Sequence, residues 1–125
     1  MGARDLEAEE PAMTKYLIAF PSGAMRVPED EFPTVVEESH AVVRQAKEAG
    51  VWVFGGGLDE GVPPVRVAAD GSMTPGPYPE NAGLSGGWAV LDLPTRAEAL
   101  TWAARIAAAC RCPQEVRAFG DDPDS

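Results

Sequence analysis

At 125 residues, 45% hydrophobic and 24% charged, the chain has the size and balance of one globular domain and is too short for two well-sized cores. Its apolar content is too high for a disordered chain, and no run reaches the roughly 18 continuous apolar residues of a membrane span. A formal net charge of −10 argues against nucleic acid as a partner, because affinity for phosphates comes largely from Lys and Arg displacing counterions.

The acidity is concentrated at the ends. Residues 1–12 sum to −3 and read as an acidic disordered tail, and Asp121, Asp122 and Asp124 add −3 in a second tail over 120–125, so −4 falls to the domain between, residues 13–119. The start lacks the basic head and apolar run of a signal peptide, which predicts a cytoplasmic protein, and Met13 is an alternative start. Tyr16-Leu17-Ile18-Ala19-Phe20, ended by Pro21, Ser22 and Gly23, predicts a first strand. Thr34-Val35-Val36-Glu37 has the spacing of a capping box and Ala49-Gly50 supplies a stop. The helix between them buries Val35, Val36, Val42, Val43, Ala46 and Ala49.

Val51-Trp52-Val53-Phe54 predicts the next strand, with a bulge at Gly55-Gly56-Gly57. Those glycines are no phosphate loop, since no Lys-Ser or Lys-Thr follows. Val65-Arg66-Val67-Ala68 is a third strand, and Asp70-Gly71 is a hairpin signal. The Pro- and Gly-rich stretch from Ser72 to Gly87 reads as a loop over the surface or a pocket. Trp88 to Leu93 is a further strand, and Thr95-Arg96-Ala97-Glu98 is a second capping box. The Ala-rich helix it opens has Ala99, Leu100, Ala103, Ile106 and Ala107 as its stripe. Cys110 and Cys112, the only cysteines, are too close in sequence for an unstrained disulfide and read as reduced thiols. With one histidine and no second Cys pair, structural zinc is rejected and no metal or cofactor is expected. Glu115 to Phe119 is a last strand.

This order predicts an α+β, ferredoxin-like antiparallel sheet with two helices on one face. Alternation separates a small aliphatic set (Leu17, Ala19, Val51, Val53, Ala89 and Leu91, with Val116 and Ala118) from an aromatic one (Tyr16, Phe20, Trp52, Phe54, Trp88 and Phe119, with Arg117). Two helices cover one face only. The Ala-rich helix is expected on the small set and a second copy on the aromatic set, giving a homodimer with a small-molecule pocket lined by Trp52, Trp88 and Arg117. The same aromatics can instead simply fill a dimer core.

The ordered set Lys15-Tyr16-Leu17, Glu48-Ala49-Gly50-Val51, Gly56-Gly57-Leu58, Val65-Arg66-Val67, Gly76-Pro77-Tyr78-Pro79-Glu80, Gly86-Gly87-Trp88, Glu98 to Ala103 and Glu115-Val116-Arg117 resembles the YCII-related family, in the subgroup named for an Asp-Gly-Pro-Phe motif. The resemblance covers Met13 to Phe119. It implies a ferredoxin-like domain paired into a dimeric α+β barrel, with a histidine and an aspartate as acid-base groups in some members. Pro75 and Tyr78 stand where the subgroup has Asp and Phe, and Ala82 and Gly83 where it has Lys and Glu; Glu80 is kept. The catalytic motif is thus degenerate.

Three residues are candidates for catalysis. His40 is the only side chain whose unperturbed pKa suits proton transfer near neutrality, although its place beside Val36 and Val43 also fits a half-exposed helix residue. Tyr78 and Glu80 offer a hydroxyl and a carboxylate in a rigid loop, or a proline-packed turn with a solvated acid. Arg117 suits a ligand carboxylate, or pairs with Glu115. Two functions follow: a dimeric small-molecule-binding module, or a cofactor-independent lyase or isomerase acting on an aromatic or unsaturated molecule. A pocket built around His40 and the Tyr78–Glu80 loop separates them.

Overall fold

The structure, a computed structural model, describes residues 12–125; the N-terminal tail read from the sequence lies outside the described residues except for Ala12. Strand β1 (Thr14–Phe20) leads through two short 3₁₀ turns into helix α1 (Phe32–Glu48) and strand β2 (Trp52–Gly57). A hairpin, β3 (Val65–Val67) and β4 (Met73–Pro75), precedes β5 (Gly87–Leu93), α2 (Arg96–Cys110) and β6 (Glu115–Ala118). The four long strands form one antiparallel sheet in the order β2-β5-β1-β6, and β3 and β4 pair only with each other.

Local chemistry accounts for most boundaries. Thr95 Oγ1 accepts from the Glu98 N–H at 3.1 Å, so the cap of the second box forms as predicted, while the Glu98 carboxylate accepts from the Thr95 hydroxyl at 3.4 Å. The first does not. Helix α1 begins at Phe32, with Pro33 in its first turn and the 3₁₀ turn Glu29–Glu31 feeding directly into it, so Thr34 is already helical and has no free donor to cap. At the far end Gly50 takes φ +74° while the Val51 N–H donates to the Ala46 carbonyl, a Schellman stop. Arg111 closes α2 in the same left-handed region, at φ 62°; its guanidinium donates to the Ala108 carbonyl at 2.7 Å and pairs with Glu38 of α1 at 2.6 Å. Asp70-Gly71 makes its turn, with the Ala68 N–H donating to the Ser72 carbonyl. The stretch after it is not all loop, because Met73–Pro75 returns along Val65–Val67 as β4.

Both helices pack on one side of the sheet. Ala46 of α1 and Ala99, Trp102 and Ala103 of α2 share one core cluster with Tyr16, Ile18, Ala89, Leu91 and Leu93. The register corrects the expected division of the faces. Tyr16 pairs with Leu91 and Ala118, and Ile18 with Ala89 and Val116, so the covered face mixes aromatic and aliphatic residues. The uncovered face holds Lys15, Leu17 and Ala19 of β1, Trp88, Val90 and Asp92 of β5, and Arg117. In β2 a bulge between Trp52 and Phe54 breaks the alternation, one step before the glycines expected to hold it. Trp52 therefore lies on the covered side, packed against the core cluster, while Phe54 is 66% exposed. Grouping by composition fails here because a one-residue offset between strands exchanges every side chain's face.

Candidate functional site

At the end of the sheet where β2 and β1 finish and β5 and β6 begin, the covered face is almost bare. Gly55 and Gly57 of β2 and Gly87 of β5 stand there in register with Ala89 and Phe20. The missing side chains let two rings lie on the backbone. A Cβ at Gly55 would fall 2.4 Å from the Trp52 indole, and one at Gly87 would fall 2.7 Å from the Phe20 ring. Glycine in a strand interior often marks such a close approach. Gly86 is fixed more tightly: its φ is +79° and a Cβ would meet the Phe20 carbonyl oxygen at 2.0 Å. Glu60 braces the same corner, accepting from Ser22 Oγ at 3.2 Å and from the Gly86 N–H at 3.4 Å.

Between this glycine floor and the two helices lies a cavity of about 430 Å³. Its roof is Val42, Val43 and Ala46 of α1 with Ile106 and Cys110 of α2, and Ser39, His40 and Lys47 are its polar margin. The chain's three tryptophans, Trp52, Trp88 and Trp102, all line it. Burial pushes the Cys110 thiol up to about 11, helped by the neighbouring Cys112 thiol and opposed by Arg111, so the wall there is neutral. Both cysteines are free.

A second cavity, about 640 Å³, lies on the uncovered face under the loop that carries Glu80, Asn81, Leu84 and Ser85. Leu17, Ala19 and Arg117 form its sheet side. Phe20, Trp88 and Gln114 line both cavities and are the wall between them. Trp88 Nε1 donates to the Ser85 carbonyl at 3.1 Å.

The sequence-predicted residues therefore separate. Within one chain His40, Trp52 and Trp88 meet at the first cavity, whereas Glu80, Arg117 and Trp88 meet at the second. Tyr78 lines neither; it is 61% exposed, with the Arg66 guanidinium 5.7 Å from its ring centre. The single pocket uniting His40 with the Tyr78–Glu80 loop is not formed within one chain, because the sheet stands between α1 and that loop. Arg117 takes the plainer of its two alternatives, pairing through Nε with Glu115 Oε1 at 3.0 Å. Among the described residues no group of three or more His, Cys, Asp or Glu comes together to hold a metal ion, and no helix is long and apolar enough to cross a membrane.

Trp102 and Gln114 were not legible as site residues. Trp102 had a signal, since it sits three residues after Ala99 and four before Ile106 on the buried stripe of α2. Gln114 had none, because its role depends on which side chains close around it. No family model matches the chain, and no curated protein matches it.

Proposed function

We propose that the chain is a homodimeric module that binds a small aromatic or unsaturated molecule, built on a ferredoxin-like domain of YCII-related type paired into a dimeric α+β barrel. The observation that carries the binding reading is the gathering of Trp52, Trp88 and Trp102 around one cavity of about 430 Å³. An apolar, aromatic space with a few polar groups at its margin is the usual make-up of a small-molecule site. The strand order β2-β5-β1-β6 under two helices supports the ferredoxin-like assignment.

The uncovered face supports pairing with a second copy. Among the described residues no helix lies over Leu17, Ala19 and Val90, and the charges beside them cancel: Lys15 faces Asp92, and Arg117 pairs with Glu115. A chain of net charge −10 can therefore set this face against its own copy without repulsion. The replacements at Pro75, Ala82 and Gly83 favour binding over catalysis, since they remove ionisable groups from the one block where the resemblance would put them. Catalysis is the second reading, favoured by His40 at the margin of the cavity. Tyr78 and Glu80 would then have to act from the partner chain.

Titration with toluene tests binding. A saturable change in tryptophan fluorescence is expected from the native chain and is lost in Val43→Phe, which fills the cavity from α1. A folded native chain with no saturable change overturns the reading. Sedimentation tests pairing, with a dimer expected for the native chain and a monomer for Val90→Glu, which buries an unpaired charge in the contact. A native chain that sediments as a monomer overturns the dimer.

A further inference from the structure

The wall between the two cavities contains an unsatisfied acceptor. The Gln114 side chain is anchored by its nitrogen, Nε2 donating to the Cys112 carbonyl at 3.2 Å, while its oxygen Oε1 is enclosed and accepts no hydrogen bond among the described residues. The amide cannot be turned round to relieve this, because two oxygens would then face each other at Cys112. A buried acceptor without a partner is destabilising, and native structures retain such groups where something else meets them. Phe20 and Trp88 complete the wall beside it. No donor of the helix-side cavity reaches that oxygen among the described residues: Cys110 is a neutral thiol, Ser39 Oγ is already committed to the Val36 carbonyl at 2.9 Å, and neither His40 nor Lys47 at the margin bonds to it.

We infer that Gln114 is the specificity-determining residue of this cavity and that its Oε1 selects an aromatic ligand bearing a hydroxyl donor, a phenol in chemical class. The inference rests on the binding function proposed above. The ring of such a ligand lies over the glycine floor among the tryptophans. Its hydroxyl reaches Oε1 as the Phe20 and Trp88 rings shift, and the new hydrogen bond offsets the cost of that shift. An aromatic molecule of the same shape without a donor opens the wall for nothing and leaves Oε1 unpaired. A site with an acceptor to satisfy rejects the donor-free analogue much more strongly than an apolar site distinguishes one methyl group from none.

Calorimetric titration of the native chain with phenol, anisole and toluene tests this. Phenol is expected to bind at least about tenfold tighter than either of the others, the ratio that one satisfied buried acceptor supplies. Anisole keeps the oxygen but not the donor and should group with toluene. In Gln114→Leu the preference for phenol should vanish while toluene still binds. Should that variant fail to fold, the contrast between phenol and anisole on the native chain decides alone. Equal binding of all three by the native chain overturns the role of Gln114 and leaves the cavity's function standing, as does a phenol preference that survives in Gln114→Leu. If none of the three binds, the function and this inference fall together.

Discussion

The two faces of the four-stranded sheet come from the same strands, and alternate residues of β1 and β5 are apolar toward both. On the covered face Ile18, Leu91 and Leu93 are at most 1% exposed, closed over by Ala99 and Ala103 of α2, whose small side chains let the helix approach. On the other face Leu17, Ala19 and Val90 are half-buried by their neighbours alone, and Phe54 stands largely in solvent. An antiparallel sheet with one wet face normally alternates apolar with polar, and the apolar residues of the open face are those the proposed pairing with a second copy would cover. Apolar patterning thus tells which residues need cover; it does not tell which element supplies the cover.

The contrast breaks most directly at neighbouring residues of β5. Leu91→Ala opens a cavity in the core and should cost about 3 kcal/mol in urea unfolding. Val90→Ala should cost much less in dilute solution, with an effect that grows with protein concentration where the face is paired. Equal, concentration-independent losses would remove the distinction between the faces.

Gly86 holds the corner where β5 begins against the end of β1. Gly86→Ala forces a side chain onto the Phe20 carbonyl at a positive φ, and a loss of about 2 kcal/mol is expected in the same measurement. Wild-type stability in that variant would mean the corner can relax.

The covered side also carries a pH signature. Burial holds the Cys110 thiol at about 11 against an ordinary 9.0, so the folded chain keeps a proton that the unfolded chain releases. Stability from this source is complete below pH 9 and is lost as pH rises toward 11, with a slope of at most about 1.4 kcal/mol per unit. Cys112 is raised in the same direction by its own burial and adds to the trend. Urea midpoints between pH 8 and 11 should therefore fall more steeply for the native chain than for Cys110→Ala, and parallel curves would show the thiol is not sheltered.

The smallest effect concerns the seating of α2. Thr95→Ala removes the acceptor for the Glu98 N–H and should cost about 1 kcal/mol without altering the cavity or the open face. The equivalent change at Thr34 should cost clearly less, because that residue caps nothing.

That pair of threonines shows how far local reading goes. Both have the capping-box spacing, but only Thr95 precedes its helix in an extended conformation, at φ −137° and ψ 153°. Thr34 follows a 3₁₀ turn already coiled in the helical sense, and the short sequence pattern does not distinguish the two. Of the residues expected at a site, His40, Trp52 and Trp88 do share a cavity, whereas Glu80 is carried to the second cavity by the hairpin excursion and Tyr78 lines neither. No local signal sets that distance.

What the sequence determined by itself was the list of elements and most of their stops. Apolar runs, the Thr95 cap, the Gly50 stop and the Asp70-Gly71 turn act over a few residues, and their chemistry is complete within those residues. What the tertiary structure alone decided was the pairing of faces, the cavity and the enclosed oxygen of Gln114. Register relates strands distant in sequence, and one bulge at β2 sends Trp52 under the helices. Gly55 and Gly87 become part of a floor only because the Trp52 and Phe20 rings are brought across them, a relation between β1, β2 and β5 that no single segment contains.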